Sequence, residues 1–187
     1  DTLTVTGRFD NGDGSAGESI TLRYLRPVIV TQPFAVIAHR GGGRNSDMLP
    51  ASENTVAMVL MAERFGANGI EIDVRLTSDA IPILFHDENL NLRLNEKNGL
   101  VGPVESYSYQ QLQTFVRLVH GERIPTLREV LDAVIDRTNL RTVWLDMKSA
   151  KASMHIVRAI QRDAMAKAHA QFAAGRRNPL AILIGLP

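Results

Sequence analysis

The chain has 187 residues, of which 44% are hydrophobic, so it is long enough for one domain with a large apolar core. Its 21 basic and 20 acidic residues give a net charge of +1, and no basic tract indicates a nucleic-acid or anionic membrane partner. The absence of cysteine excludes disulfides, thiolate nucleophiles and cysteine-based zinc sites, and no apolar stretch approaches the ~20 residues of a membrane span.

Residues 1–33 predict a β-rich extension that precedes the main domain. Apolar residues alternate with polar ones near both ends of this segment, and the stretch between them is rich in turn residues, a pattern typical of a β-hairpin. Asp10–Gly14 superficially resembles a calcium loop, but its ligand positions and closing glutamate do not fit, so a surface turn is predicted. Asp1 in place of a methionine indicates a processed or engineered start.

From residue 34 onward, strand and helix patterns alternate along the chain. Predicted strands cover residues 34–38, 69–76, 81–85, 141–147 and 180–186, and predicted helices cover residues 53–65 and 150–173, with two more between them. Those two helices begin at capping boxes, formed by Ser108 with Gln111 and by Thr126 with Glu129. Residues 87–106 are polar and contain glycine, which predicts a long loop over one end of the sheet.

The alternation of strands and helices predicts a parallel sheet with right-handed crossovers. Strands whose outward face is apolar and whose inward face carries charge near the carboxyl end favour a (β/α)8 barrel of the TIM type over an open doubly wound sheet. A complete barrel takes about 250 residues, and only four or so strands follow residue 33. We therefore expect residues 34–187 to form the N-terminal half of a barrel, with an open sheet edge and an exposed apolar face.

Ionisable residues stand at or near the ends of the predicted strands. They are His39, Glu71, Asp73, His86, Asp146 and Lys148. Asp73 follows Glu71 by two residues, and Lys148 follows Asp146 by two, so each pair projects from one face of its strand. Apolar residues between and beside them would cover the opposite face, which indicates an acidic site on a buried scaffold.

Five short motifs follow one another along residues 35 to about 148. They are His39-Arg40-Gly41, Glu53-Asn54-Thr55, Gly69-Ile70-Glu71-Ile72-Asp73-Val74 with Thr77, His86-Asp87 with Leu90, and Ile124-Pro125-Thr126-Leu127 with Glu129. In this order they resemble the glycerophosphodiester phosphodiesterase family. One such tripeptide is weak evidence, whereas five in sequence, each where a barrel enzyme needs it, are specific.

The resemblance implies a divalent cation, calcium or magnesium, held by Glu71, Asp73 and a third carboxylate from the next barrel strand, here Asp146. The donor set agrees, because three carboxylates without cysteine are hard oxygen ligands that suit calcium or magnesium better than zinc. Surface charges on a solvated edge strand are the alternative for Glu71 and Asp73, and the flanking apolar residues argue against it. Asp146 has a second interpretation as an ion-pair partner of Lys148.

The same resemblance implies that His39 and His86 act as general acid and base, since imidazole titrates near neutral pH. Arg40 and Lys148 would bind the phosphoryl oxygens, arginine through two aligned donors and lysine as a point charge. In the family, the neighbouring glycerol hydroxyl is thought to attack phosphorus and give a cyclic phosphate that water then opens. Which histidine performs which step is left open.

Three further motif residues have structural interpretations beside functional ones. Glu53 is expected near the metal or the substrate, or else as an acidic residue in the first turn of a helix. Asn54 is either a helix cap or a site residue, and Glu129 is predicted to be only the capping-box partner of Thr126.

The leading hypothesis is metal-dependent hydrolysis of a small-molecule glycerophosphodiester to an alcohol and glycerol phosphate. One alternative is a phospholipase D-like lyase that stops at a cyclic phosphate, because the spacing of Asp146 and Lys148 resembles sphingomyelinase D and phospholipase D enzymes of the spider-venom type. Those enzymes contain disulfides, and this chain has no cysteine. A catalytically silent binding module of the same fold is the third hypothesis. Oligomeric state and compartment are left open.

Overall fold

The computed structural model describes residues 4–8, 19–23, 34–45, 48–149 and 154–185. The chain divides between Phe34 and Ala35 into two units. In the first unit, β1 (Thr4–Arg8) pairs antiparallel with β2 (Ser19–Arg23), so both predicted strands of the hairpin are present. The surface turn predicted at Asp10–Gly14 lies outside the described residues.

The second unit is built from alternating strands and helices. In chain order these are β3 (Ile37–Ala38), α1 (Val56–Met61), β4 (Gly69–Leu76), β5 (Pro82–Leu84), α2 (Tyr109–Phe115), α3 (Leu127–Arg137), β6 (Thr142–Met147), α4 (Met154–Ala173) and β7 (Ala181–Gly185). Among the described residues, β3, β4, β6 and β7 lie side by side in this order and run parallel. The spatial order follows the chain order without the reversal that marks a doubly wound sheet, so the strands form part of a (β/α)8 barrel. The predicted half-barrel is confirmed.

The strand predicted at residues 81–85 differs in direction from the other four. β5 pairs antiparallel with the end of β4, with Val74 opposite Leu84. A tight turn joins the two strands, and the amide of Thr77 donates to the Ile81 carbonyl at 3.0 Å. So short a link permits only an antiparallel hairpin, because a parallel partner needs a crossover of a dozen or more residues. β5 therefore lies beside the carboxyl end of β4 and is not one of the barrel strands.

The helix predicted at residues 53–65 is shorter than expected. α1 begins only after Thr55, whose Oγ1 accepts a hydrogen bond from the amide of Met58 at 3.1 Å as an N-cap. The helix then tightens into a 3₁₀ turn at Ala62–Phe65. The residues before the cap are therefore released from the helix, and they turn towards the sheet.

The other helices follow the sequence signals more closely. Both predicted capping boxes form, at Ser108 before α2 and at Thr126 before α3. The start of α4 predicted at residue 150 lies outside the described residues, which resume at Met154. In the described ranges, no helix is long and apolar enough to cross a bilayer.

The main hydrophobic core lies between the outward face of the sheet and helices α1, α3 and α4. Alternate residues of β4 and β6 are fully buried there: Ile70, Ile72, Val74, Val143 and Leu145. The apolar stripe predicted on α3 is buried in the same core: Leu127, Val130, Leu131, Val134 and Ile135. Since burying an aliphatic side chain is worth roughly 1.5–3 kcal/mol, this layer fixes the strands. Strand alternation sends the acidic residues between them to the inward face.

The inward face of the sheet carries apolar residues that are open to solvent. Trp144 is 44% exposed, and its neighbour on β7, Leu183, is 45% exposed. The indole covers Gly185, where an added Cβ would lie 2.5 Å from Trp144 Nε1, so a larger residue does not fit there. The expected exposed apolar face is thus present in the described part of the chain, where β3 and β7 are the edges of the parallel strands.

Residues 87–106, here called the arm, fold around a small core of their own. Leu90, Leu94 and Val104 are buried in one cluster with Phe85 and apolar residues of α2. The two ends of the arm are joined by backbone hydrogen bonds from Leu90 to Gly102 and from Val104 to Glu88. The polar loop predicted from composition is therefore a compact structure, because its few apolar residues are spaced so that they reach the same cluster.

Candidate active site

Three carboxylates meet on the inward face of two neighbouring parallel strands. Glu71 and Asp73 lie on β4, and Asp146 lies on β6 directly opposite Asp73 in the strand register. One ligand oxygen from each residue lies within 4.8 Å of the other two. This spacing suits a single cation, since calcium and magnesium lie ~2.0–2.6 Å from their oxygen ligands.

Asp73 is the most buried of the three, with 1% of its surface exposed. Its Oδ2 accepts a hydrogen bond from Asn54 Nδ2 at 2.7 Å, while its buried Oδ1 accepts none among the described residues. The only charge paired with that oxygen in the described chain is Lys148 Nζ, at 3.2 Å. This single ammonium contact is the oxygen's one charged partner in the described chain, and a bound divalent cation would be a second.

The pKa of Glu71 is raised by its position in the cluster. Burial, together with the charges of Asp73 and Asp146, outweighs a hydrogen bond from the backbone of Arg40 and raises the pKa of Glu71 to about 7. A divalent cation between the three carboxylates would offset both the cost of burying the Glu71 charge and its repulsion by the other two. The donor set therefore fits a hard divalent cation such as calcium or magnesium.

Lys148 bridges two members of the cluster. Its Nζ lies 2.6 Å from Asp146 Oδ2 and 3.2 Å from Asp73 Oδ1. Burial works against the charge of this ammonium group, but the two carboxylates outweigh it and raise the pKa of Lys148. The two sequence interpretations of Asp146 are thus compatible, because it belongs to the carboxylate cluster and also pairs with Lys148.

Asn54 orients Asp73 from the segment before α1. Besides the bond to Oδ2, its Oδ1 accepts a hydrogen bond from the Asp73 amide at 3.0 Å. Asn54 has a left-handed backbone with φ of 60°, a conformation in which asparagine is enriched. Thr55 caps the helix, so the interpretation of Asn54 as a helix cap is wrong, and its contacts are with the acidic cluster.

His39 and Arg40 stand where β3 ends in a tight turn. The left-handed backbone of Arg40, with φ of 54°, directs its amide to Glu71 Oε2, at 2.8 Å. His39 Nε2 lies 3.8 Å from the same oxygen, and 58% of the His39 side chain is exposed. Burial of part of the ring and the nearby charge of Arg40 lower the pKa of His39, which favours the neutral imidazole at neutral pH.

His86 follows β5 and reaches the same end of the sheet. Its Nδ1 lies 2.6 Å from Asp87 Oδ1, so Nδ1 carries the proton, and Nε2 accepts from Arg40 Nη2 at 2.9 Å. Arg75, on the inward face of β4, donates from Nε and Nη2 to the His86 carbonyl at 3.2 and 3.1 Å. Backbone and ring of this histidine are therefore both held by neighbouring side chains.

Glu53 lies between two arginines with 1% of its side chain exposed. Arg40 Nη1 donates to its Oε1 at 2.8 Å, and Arg93 Nη1 donates to its Oε2 at 3.0 Å. Glu53 precedes the N-cap Thr55, so its interpretation as an acidic residue in the first helical turn is wrong. It supports the guanidinium of Arg40 and stands outside the carboxylate cluster.

The structure brings all seven predicted site residues together at the carboxyl end of the barrel strands. Each of them contacts another member of the set, through the pairs His39–Glu71, Arg40–Glu71, Arg40–His86, Lys148–Asp73 and Lys148–Asp146. This end of a (β/α)8 barrel is where active sites of the fold are found.

Two arginines at the site are not singled out by the sequence patterns above. Arg75 follows Asp73 by two residues on β4, so strand alternation alone places it on the inward face. Arg93 lies in the arm, six residues after Asp87, and no periodicity marks it. Only the packing of the arm brings Arg93 to the site, which is why local sequence did not reveal it.

A concavity of about 500 Å³ lies between α2 and α3, lined by Tyr109, Gln113, Arg123 and Glu129 among others. It contains none of the histidines or clustered carboxylates described above. The acidic cluster lies instead on an open sheet face. The candidate active site is therefore identified by the types of side chain that meet there, since the cluster does not lie in this concavity.

Comparison with known proteins indicates a family. A family model described as the glycerophosphoryl diester phosphodiesterase family matches residues 39–179. The glycerophosphodiester phosphodiesterase of Caldanaerobacter subterraneus subsp. tengcongensis is 36% identical over 120 residues, which are 61% of this chain and 45% of the relative. Glycerophosphodiester phosphodiesterase 1 of Homo sapiens is 35% identical over 132 residues, which are 68% of this chain and 37% of the relative. The chain thus spans less than half the length of these two curated relatives.

Solved structures share the fold. A glycerophosphodiester phosphodiesterase from Parabacteroides distasonis matches with a TM-score of 0.53 and 25% identity, over 80% of this chain and 56% of that one. A phosphodiesterase from Oleispira antarctica, solved in complex with the product sn-glycerol-3-phosphate, matches with a TM-score of 0.52 and 26% identity, again over 80% and 56%. Each match covers little more than half of the solved chain, in line with a partial barrel.

Proposed function

The chain belongs to the glycerophosphoryl diester phosphodiesterase family, and from this premise we propose that it hydrolyses glycerophosphodiesters to an alcohol and glycerol phosphate. The observation that carries the proposal is the convergence of two histidines, two cationic side chains and three carboxylates at one end of neighbouring parallel strands. The Oleispira antarctica phosphodiesterase, which is similar in fold, was solved with sn-glycerol-3-phosphate as its product, and this supports the same product here.

Arg40 and Lys148 are proposed to bind the phosphoryl oxygens. The guanidinium of Arg40 is held by Glu53 and His86, while its Nε has no hydrogen-bond partner among the described residues. A buried guanidinium N–H without a partner favours an anionic ligand, and phosphate oxygens match the planar donors of arginine. Lys148 adds a point charge from the neighbouring strand.

Glu71, Asp73 and Asp146 would hold the divalent cation. When bound, such a cation supplies Lewis-acid stabilisation of the negative charge that develops on the phosphoryl oxygens. The chain's own contribution is to place three oxygen ligands within 4.8 Å of one another and to fix Asp73 through Asn54.

His39 and His86 are proposed to transfer the protons. As the glycerol hydroxyl forms a bond to phosphorus, one imidazole takes its proton, and the other gives a proton to the alcohol whose P–O bond breaks. Water then opens the cyclic phosphate with the roles exchanged. Asp87 accepts from Nδ1 of His86, so Nε2 is the atom of that ring that exchanges protons, and its hydrogen bond from Arg40 Nη2 must open for each transfer.

The test is a phosphorus NMR assay with glycerophosphocholine, with and without a chelator, on a chain in which the barrel is complete, here called the full protein chain. We expect glycerol phosphate to accumulate, and we expect chelation and Asp73→Asn each to stop it. Asp132→Asn should leave it unchanged, because Asp132 is a half-buried carboxylate of α3 that pairs with Lys167 away from the site. A cyclic phosphate that persists would instead assign the lyase alternative. Binding without turnover in the presence of calcium or magnesium would assign the silent binding module.

A further inference from the structure

Arg93, in the arm, closes a ring of charged side chains around Arg40 and His86. Arg93 Nη1 donates to Glu53 Oε2 at 3.0 Å, and Arg93 Nη2 donates to Asp87 Oδ1 at 2.7 Å. Glu53 accepts from Arg40 at 2.8 Å, Asp87 accepts from His86 at 2.6 Å, and Arg40 meets His86 at 2.9 Å. The five side chains therefore form a closed ring of contacts. Arg93 contacts neither Arg40 nor His86 directly, although these are the two ring members that are proposed to act on the substrate.

Arg93 is a charged partner of both carboxylates in the ring, beside the Asn45 amide at Glu53 and Asn91 at Asp87. Glu53 is almost completely buried, and a buried carboxylate is stable only when its oxygens are paired. Arg40 supplies one cation, and Arg93 supplies the second through contacts to both Glu53 oxygens. Arg93 also donates to both oxygens of Asp87. The planar fork of a guanidinium can serve both carboxylates at once, which a lysine ammonium cannot do with the same geometry.

The backbone of Arg93 is fixed from two sides, so its position is set by the fold. Its amide donates to Asn91 Oδ1 at 3.0 Å, and its carbonyl accepts from Asn45 Nδ2 at 2.8 Å. Leu90 and Leu94, on either side, are buried in the core of the arm. The arm thus holds the backbone of Arg93 beside the ring.

We propose that Arg93 is a positioning residue for phosphodiester cleavage, which bridges Glu53 and Asp87 and thereby fixes the Arg40 guanidinium and the His86 imidazole in one shared arrangement. Through Glu53 it sets the orientation of the group that binds phosphate. Through Asp87 it sets the hydrogen bond that keeps the proton on His86 Nδ1. This inference rests on the proposed function, and its test therefore includes a readout that does not require turnover.

The test compares Arg93→Met and Arg93→Lys with a matched control in the full protein chain. Arg128→Met is the control, because Arg128 forms an ion pair with Asp163 at 3.1 Å on the exposed helices and lies outside the site. Removing a residue that positions a catalytic histidine is expected to lower kcat/KM about 10- to 100-fold, the range found for residues that hydrogen-bond metal-bound histidines. Arg93→Lys should recover part of this loss, since it restores charge without the fork.

Nitrogen NMR of the His86 ring provides the second readout. We expect the wild-type ring to show one tautomer with the proton on Nδ1, and Arg93→Met to show a mixture of tautomers, while Arg128→Met matches the wild type.

If Arg93→Met loses activity but keeps the wild-type tautomer, and if Arg93→Lys recovers none of the lost activity, Arg93 has a purely structural role and the proposal is overturned. If Arg93→Met does not fold, Arg93→Lys alone decides. A tautomer ratio and a kcat/KM that both differ from the wild type support the proposal, and a wild-type value of either one overturns it. A wild-type chain without turnover, in which Arg93→Met still mixes the tautomers, would refute the proposed function and retain the positioning role.

Discussion

Lys148 Nζ lies 3.2 Å from Asp73 Oδ1, the carboxylate oxygen that is buried and accepts no hydrogen bond among the described residues. The other oxygen of Asp73 is already engaged by Asn54 at 2.7 Å. A cation that binds Asp73 through its available oxygen must therefore compete with the ammonium group of Lys148. The lysine acts as an internal counter-ion for the acidic cluster, and it is the same group that we propose turns to the phosphoryl oxygens of the substrate.

Replacing Lys148 by Met should raise the affinity for calcium or magnesium about fivefold, because it removes roughly 1 kcal/mol of competing ion pairing. Calorimetric titration measures this Kd directly and does not depend on turnover. Lys167→Met is the matched control, since Lys167 bridges Asp132 and Asp136 at 2.6 Å each, away from the site. Equal cation affinity in the wild type and in Lys148→Met would rule out the competition.

Replacing Asp73 by Asn should remove most of the thermal stabilisation that a divalent cation gives. A cation that binds only the folded state raises the stability of the protein with the logarithm of the cation concentration over Kd. Losing the Asp73 carboxylate therefore appears as a smaller cation-dependent shift in Tm. Melting curves of the variant with and without cation measure this. The amide of Asn can still accept from Asn54 through its oxygen, so the fold should be retained. A full cation-dependent shift in the variant would contradict direct ligation by Asp73.

Replacing either His39 or His86 by Ala should lower kcat at least ~100-fold in the full protein, because each is proposed to move one proton in each step. His169→Ala is the control, since His169 is an exposed residue of α4. The pH profile of kcat should be bell-shaped, as one histidine must be neutral and the other protonated. A loss confined to KM would contradict the proton-transfer role and would leave the two rings as binding groups.

The sequence predicts the parts of this structure that depend on short-range patterns. Alternation on β4 and β6 and the capping boxes at Ser108 and Thr126 follow from neighbouring residues. The direction of β5 was also open to prediction, because the link from Thr77 to Ile81 is too short for a parallel crossover. Arg93 was not, since its role depends on how the arm packs and on contacts to Glu53, 40 residues away in the chain.

Asp87 should give the protein an acid-dependent stability. Burial alone would raise its pKa, but hydrogen bonds from Arg93, His86 and Asn91 outweigh burial and hold the pKa below its ordinary value of 3.8. Because the folded-state pKa is depressed, the ionised Asp87 contributes its full stabilisation at pH values above its ordinary pKa. This stabilisation is lost as the pH falls through the folded-state pKa. We therefore expect Asp87→Asn to lower Tm at pH 6 and to flatten the decline of Tm between about pH 4 and pH 2. Parallel Tm profiles for the wild type and the variant across this range would show that Asp87 is not stabilised by its partners.

Leu183 tests the open inward face of the sheet. It is 45% exposed beside Trp144, and an apolar face of this kind promotes association when nothing covers it. In the isolated 187-residue polypeptide we expect low activity, self-association and binding of a hydrophobic dye, and we expect Leu183→Glu to reduce the last two with little change in Tm. Leu92→Glu is the control, since Leu92 is 71% exposed on the arm. A wild-type polypeptide that is monodisperse, binds no dye and has full turnover would show that this face needs no cover.

In a longer chain that completes the barrel, Leu183→Glu should have the opposite effect on stability. The interior of a closed (β/α)8 barrel is filled by side chains in packed layers, so a glutamate at this position would be buried without a partner. Burying an unpaired polar group costs roughly 2 kcal/mol or more, which urea unfolding of the longer protein would detect as a lower free energy of unfolding. The same substitution is thus expected to improve the behaviour of the isolated polypeptide and to destabilise the complete barrel. Equal effects in the two chains would mean that Leu183 does not face the barrel interior.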